Sequence, residues 1–323
     1  GRTLCTWKGY FLKAVDGSSL YLFKDVEVEK EFGSQSNQHM RIPMARAGIE
    51  LDVLNGYCTQ AQLQPYSVGE GVFAEAFLEN ATEKDLRLYD RYFASFELIF
   101  KHLCIKTHFL MRCKVDFNQV VKKFVTSGKK QSIVEFSIPD NARQSMRRQG
   151  YSVDTKTTVR VRLLCVDIGQ AEPEILITSL LDFRKYPHGC FKELYNYRWG
   201  DETRFDQIKN KLQIEVFSGH KPQAIYQDFF ATIIASNLHN LICKECTQEL
   251  EQINEHRLTP VAINQNVSIG LLKPRLITLF LTQRPGSIFD ELKTLFLRHL
   301  QPIRPDRKYQ RPKSVRRLKG KYQ

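Results

Sequence analysis

Along its first hundred or so residues the chain alternates apolar and polar positions in short runs, and the runs change period in a regular order. "YFLKAVDGSSLYLF" (10–23) is alternating and β-rich with Asp16-Gly17 at its middle, which predicts a strand or hairpin presenting Asp16. "MARAGIELDVLNGY" and "CTQAQLQPYS" (44–67) predict two more strands, and "EGVFAEAFLEN" (70–80) a helix. "DLRLYDRYF" (85–93) reads as a short strand ending near Asp90, "SFELIFKHLC" (95–104) as a helix and "THFLMRCK" (107–114) as a strand. Three strands, a helix, a strand, a helix and a strand make an α/β pattern with a mixed sheet flanked by helices.

The pattern changes from about 115 to 182. "SIVEFSIP", "TTVRVRLLCVDI" and "EILITSLLD" are β segments joined by polar turns, no long helix is apparent, and the segment reads as a β-rich insertion. It carries a basic stretch from Arg143 to Arg162, with Arg147, Arg148, Lys156 and Arg160 opposed by Asp154, which suits either a solvated ribbon or a DNA contact. After 190 the chain is mainly helical to about 256. Residues 257–300 form a helical C-terminal part, in which "LITLFLTQRPGSIFDELKTLFLRHL" (276–300) predicts a helical pair broken at Pro285-Gly286. In the last segment, 301–323, nine Lys or Arg stand against Asp306, as in a solvated basic tail.

Charge narrows the function. Of 323 residues 48 are Lys or Arg and 35 Asp or Glu, a net charge of +13, which points to a polyanionic partner, nucleic acid being the commonest. Hydrophobic content of 42% places the chain among globular proteins. Eight cysteines without a tight framework, and no secretory signal, make reduced cytosolic thiols the expectation. The longest apolar run, around Phe229 to Cys243, is interrupted by Ser236, Asn237, His239 and Asn240, too polar to span a bilayer. Opening at Gly1 in a segment that already reads as folded, the sequence suggests that an N-terminal piece precedes it.

One stretch carries a pattern of a different kind. "YNYRWGDETRFDQIK" (195–209) reads as a helix. At about 100° per residue, Tyr195, Arg198, Glu202 and Lys209 fall at roughly 0°, −60°, −20° and −40° around its axis, one narrow polar stripe about 21 Å long. Leu194, Phe205, Ile208 and Leu212 lie on the adjoining arc and would face a core, and Tyr197 points away from the stripe. A solvated helix face explains the stripe as well as a binding surface does. Asp16 on a first strand, Asp90 at the end of a later strand and Glu202 on a helix far downstream would suit a hard divalent cation held through carboxylate oxygens at about 2.1 Å.

The motifs favour the second explanation. The spacing Tyr-x2-Arg-x3-Glu-x6-Lys, met by Tyr195, Arg198, Glu202 and Lys209, resembles the signature of the insertion-sequence-4 family of DDE transposases. "LKAVDGSSLYL" resembles that family's first-Asp strand and "LYDRYFASFEL" its second-Asp motif, while "FSGHKPQAIYQDFFATIIASNL" (217–238) resembles the stretch after its Glu helix. The resemblance runs from about 10 to 245. One departure is Tyr92-Phe93, where the family often has a Gly followed by an aromatic residue.

The resemblance implies a ribonuclease-H-like catalytic core in two parts, 1–114 and 183–256, interrupted by the insertion at 115–182. It implies that Asp16, Asp90 and Glu202 are catalytic and hold Mg²⁺ or Mn²⁺, as two ions. It further implies that Tyr195, Arg198 and Lys209 contact DNA, and that the protein cleaves an insertion sequence's ends and transfers them to target DNA, with a hairpin intermediate. A homodimer on paired ends, without membrane association, in a bacterial cytoplasm near the nucleoid, belongs to the same implication. The alternatives are a truncated or domesticated transposase that only binds DNA, and a nuclease with the same core.

Other features weigh less. Cys243, Cys246 and His239 have metal-like spacing but lie where a packed helix is the simpler reading. Trp199 could stack on a base, though a core position is favoured; His188 reads as a loop residue. Asp25, Asp52 and Asp167 are alternative acids on β segments outside any matching motif.

Overall fold

The computed structural model describes residues 4–36, 40–167, 174–198, 212 and 214–303. Two compact units emerge, the first made of Gly1–Ser19, Arg46–Asn55 and Thr59–Thr203, the second of Leu20–Ala45, Gly56–Cys58 and Arg204–Gln323.

The first unit is built on a mixed sheet. Its strands are β1 (Phe11–Tyr21), β3 (Arg41–Asp52), β4 (Tyr57–Pro65), β5 (Asp85–Tyr89), β6 (His108–Cys113), β7 (Gln131–Ser137), β8 (Thr158–Val166) and β9 (Glu174–Thr178). They run in the order β3-β1-β5-β6-β9-β8-β7, with β4 also on β3. β1, β5 and β6 are parallel neighbours, with Ala14 opposite Leu88 and Leu88 opposite Leu110, whereas β9 joins β6 antiparallel. This is the mixed sheet that the α/β reading anticipates.

Side-chain alternation gives the parallel strands two different faces. One face, with Val15, Tyr89, Phe109 and Met111, packs helices α2 (Glu70–Ala76), α3 (Phe96–Cys104), α4 (Gln119–Thr126) and α5 (Asp140–Arg148). The other, with Leu12, Ala14, Leu86, Leu88 and Leu110, packs α6 (Cys190–Asn196) through Phe191, Leu194 and Tyr195. Local sequence starts the helices. The Ser95 hydroxyl accepts from Leu98 N at 3.2 Å at the head of α3, and Asn118 Oδ1 from Val121 N at 2.8 Å at the head of α4.

Several expectations change here. Asp16-Gly17 makes no hairpin: β1 runs straight through, because it is held between β3 and β5. The segment 115–182 contributes β7, β8 and β9 to the far side of the main sheet and adds two short helices, α4 and α5. Its basic stretch is no uniform ribbon. Arg143 pairs with Asp140, Arg147 Nε donates to Val153 O at 2.6 Å, and Arg162 is fully buried, donating to Tyr186 O at 2.8 Å. His188 Nε2 lies 2.9 Å from Cys165 O, a partner 23 positions away that no local pattern marks.

In the second unit, α1 (Val26–Phe32) and β2 (Ser34–Ser36) occupy a stretch whose pattern predicts no element. Asp25 caps α1, accepting from Glu27 N and Val28 N, so this alternative acid has a structural role. The long helix α7 (Pro222–Glu245) is followed by α8 (Thr247–Glu255), α9 (Gln265–Leu272), α10 (Leu276–Leu281) and α11 (Pro285–Arg298). The helical pair at 276–300 is therefore present, but its break lies before Pro285, which opens α11 with the fixed φ a first turn accepts. Strands β10 (Val261–Ile263) and β11 (Leu300–Pro302) pair antiparallel. The unit's core gathers Ile242, Cys246, Ile263, Leu272, Leu292 and Phe296.

All eight cysteines are free thiols. Cys246 is buried in that core, and His239 Nε2 lies 2.7 Å from Ser268 Oγ. Among the described residues no helix is long and apolar enough to cross a membrane.

Candidate active site

Asp16 sits on β1, and Asp90 is the residue that follows β5. The parallel register pairs Leu12 with Leu86 and Ala14 with Leu88; carried on by two residues, it sets Asp16 beside Asp90. The β5–β6 register pairs Tyr89 with Met111; carried on by one, it sets Asp90 beside Arg112. Strand neighbours lie about 4.8 Å apart. Alternation assigns all three to the face of Leu12, Ala14, Leu86, Leu88 and Leu110, the face that packs α6. Asp16 and Asp90, far apart in the sequence, thus each lie two residues past the Ala14–Leu88 pair, on the face that packs the helix that begins the Tyr-Arg-Glu-Lys motif.

Arg112 completes the row, and the sequence reading missed it. Its Nη1 is 4.0 Å from Asp90 Oδ1, and its other guanidinium nitrogens make a two-pronged bond to Glu174. The signal was present: in "THFLMRCK" one Arg occupies the face on which Leu110 is buried. Asp90 itself is anchored by its backbone, whose carbonyl accepts from Phe93 N at 3.1 Å. Among the described residues only Lys8 and Lys106 combine a side chain with positive φ, so the Asp90–Phe93 turn needs no glycine and Tyr92-Phe93 suits it. Gly17, beside Asp16, is different. A Cβ there would lie 2.6 Å from Glu70 Cγ, and Glu70 is held by Arg46 at 3.2 Å.

The expected helix over 195–209 differs here: α6 ends at Asn196, Arg198 lies in the turn that follows, and neither Tyr195 nor Arg198 has the exposure of a polar stripe. Tyr195 is 0% exposed and Arg198 6%. The Tyr195 ring belongs to the core between α6 and the sheet, with Arg198 Cζ 5.8 Å from its centroid. Burial pushes the Tyr195 phenol up to about 12; Arg198 and Arg112 pull it down, while Asp90 adds to the rise. The phenol therefore lies within the electrostatic reach of the acidic row. Helical geometry places a residue on a face, but only the neighbouring sheet decides whether that face is wet. Glu202, Lys209 and Trp199, with Phe205 and Ile208, lie outside the described residues.

Asp52 is fully buried, with Oδ1 accepting from Asn55 N at 3.0 Å and Oδ2 lying 3.9 Å from Lys13 Nζ. Like Asp25 it is occupied structurally.

Asp16 and Asp90 are of the residue type that a hard divalent cation takes as ligands. Both offer carboxylate oxygens, and Asp90 Oδ1 is buried without a hydrogen bond among the described residues, an acceptor that a cation would satisfy. Among the described residues no three His, Cys, Asp or Glu side chains are grouped for metal binding.

The family model described as "Transposase DDE domain" matches residues 8–238. The chain is similar to the transposase InsG for insertion sequence element IS4 from Escherichia coli (strain K12), being 21% identical over 295 residues. That alignment covers 90% of this chain and 63% of the relative, so the chain spans less than two thirds of that protein's length. Among solved structures it is similar, at 9% identity and a TM-score of 0.47, to the piggyBac transposase in a cryo-EM structure of its synaptic complex with hairpin DNA. The match covers 87% of this chain and 57% of that one.

Proposed function

This chain belongs to the family of transposase DDE domains, and from that premise we propose that it cuts and joins DNA as the catalytic part of an insertion-sequence transposase. The observation that supports the reading is the parallel register of β1 and β5, which puts Ala14 opposite Leu88, with Asp16 and Asp90 each two residues further on. Asp16, Asp90 and Glu202 are the proposed ligands of Mg²⁺ or Mn²⁺, as two ions. When bound, the ions would activate an attacking oxygen and neutralise a leaving one during in-line displacement at phosphorus.

The remaining roles fall to the chain. Arg112 holds the Asp90 side of the row and is itself fixed by Glu174. Lys209 is proposed to contact DNA phosphates as a point charge, and Arg198, 6% exposed, to offer its planar fork only through the edge that reaches solvent. Tyr195, buried against the sheet with Arg198 Cζ 5.8 Å from its ring centroid, is proposed to meet DNA only indirectly, by supporting Arg198. The overall reaction is hydrolysis at an element's 3′ ends, then attack of the freed 3′-hydroxyls on target DNA. A homodimer holding paired ends is the assembly this reaction calls for.

The test compares Asp16→Asn, Asp90→Asn and Glu202→Gln with the parent on matched end DNA in Mg²⁺ and in Mn²⁺. Each should lower cleavage by several orders of magnitude while DNA binding holds or rises, since a charge that repels phosphate is removed. Near-parental cleavage by any of the three would overturn its assignment. A parent that binds DNA and never cuts it would leave a DNA-binding derivative; one that cuts but never joins, a nuclease.

A further inference from the structure

A cavity of about 640 Å³ opens beside Asp90, lined by Asp90, Arg91, Tyr92, Ala94, Lys114 and Phe117. It lies past the carboxyl ends of two adjacent parallel strands, since Asp90 follows β5 and Lys114 follows β6. Ligands of open α/β sheets bind outside those ends.

The walls are chemically mixed in a specific way. Phe117 is half-buried and stacked on Phe96 at 4.9 Å and 23°, and Phe96 meets Phe136 edge-on at 6.0 Å, so an aromatic floor is fixed from below. Tyr92 is 70% exposed, and its ring contact is with Phe93, edge-on at 6.3 Å. Phe93 is buried, and its N–H is bonded to Asp90 O, so the turn that presents Tyr92 is held at both ends. Arg91 and Lys114 are exposed, and neither makes an ion pair among the described residues. Two cations, an exposed aromatic face and an aromatic floor match two parts of a nucleotide: phosphates for the cations and a base for the rings.

We propose that this cavity binds one nucleotide of a single-stranded DNA segment, with its base on Tyr92 and its flanking phosphates on Arg91 and Lys114. Only an unstacked base offers its π-face to a ring, which excludes a base inside a duplex. The inference rests on the reading of Asp90 as part of a DNA-processing site, because that reading brings the strand to the cavity mouth.

Binding of a short labelled single-stranded oligonucleotide to the full chain, in chelator and without cleavage, tests it. Tyr92→Ala should weaken binding roughly tenfold, within the range of one stacked base, and Tyr92→Phe should stay within about twofold. Lys114→Gln should reduce the salt slope by about 0.7, as one phosphate contact on a single strand does. Unchanged thermal melting of these exposed-site variants confirms that the fold is intact. Parental affinity in Tyr92→Ala, or an equal loss in Tyr92→Phe, would overturn the cavity. The readout separates the two proposals. A parent that cuts DNA while Tyr92→Ala binds normally overturns the cavity alone. A parent whose single-strand binding needs Tyr92 but that never cuts supports the cavity and overturns the transposase reading.

Discussion

Arg112 Nη1 stands 4.0 Å from Asp90 Oδ1, with the rest of its guanidinium bound to Glu174. One side chain thus ties the end of β5 to β9 across the strand between them. Arg112→Ala leaves Glu174 largely buried without its cation, and the expected cost is about 3 kcal/mol. A shift of the urea midpoint at constant slope measures it. The double variant with Glu174→Ala should cost less than the sum of the two, because each single change strands a charge that the double change removes.

A second buried pair lies further back in the sheet. Arg87 Nε donates to Glu50 Oε2 at 2.7 Å, and Glu50 Oε1 accepts from Thr59 Oγ1 at 2.8 Å and Gln60 Nε2 at 3.1 Å. Both charged side chains are out of solvent. Glu50→Ala should destabilise by about 3–5 kcal/mol, while replacing both partners with apolar residues of similar volume should recover most of that stability. Recovery in denaturant titrations is the deciding observation; a double variant as unstable as Glu50→Ala would mean the pair stabilises more than an apolar core would.

His102 predicts a pH dependence. Its ring is buried between Tyr89 OH at 3.0 Å and Thr107 Oγ1 at 2.7 Å. Burial, and then the positive charges of Arg87 and His108, hold its pKa well below the ordinary histidine value. The unfolded chain therefore binds this proton more readily than the folded one. Stability from the neutral ring is complete above the unfolded pKa of about 6.5 and falls as pH drops below it, by up to about 1.4 kcal/mol per pH unit. Urea midpoints at pH 7.5 and pH 5.5 should diverge for the parent and converge for His102→Gln, measured relative to each protein's own value at the higher pH.

The basic end makes a prediction from charge alone. Residues 304–321 carry nine Lys or Arg. If they meet DNA, deleting them should flatten the dependence of duplex affinity on salt, by about 0.9 for each phosphate left without its cation, and should not alter metal-dependent cleavage at low salt. An unchanged slope would place the binding on exposed cations elsewhere, such as Arg91 and Lys114 at the cavity beside Asp90.

Apart from α1 and β2, the elements up to residue 114 were legible in the sequence because they are written locally. Alternation marks β5 and β6, an apolar period with Ser95 before it marks α3, and the motifs around Asp16 and Asp90 mark the acids without any knowledge of their neighbours. What the sequence could not decide is what each residue stands beside. The β1–β5 register brings Asp16 and Asp90 to one face and one end of neighbouring strands, and the β5–β6 register adds Arg112. Tyr195 and Arg162 are polar by type yet buried, because the sheet and its neighbours close over them. Strands β7 to β9 looked like an insertion in sequence and extend the main sheet in space, since β9 pairs with β6. Local propensity depends on a few adjacent residues and survives in one dimension; strand register and burial depend on partners from other parts of the chain, and exist only once it has folded.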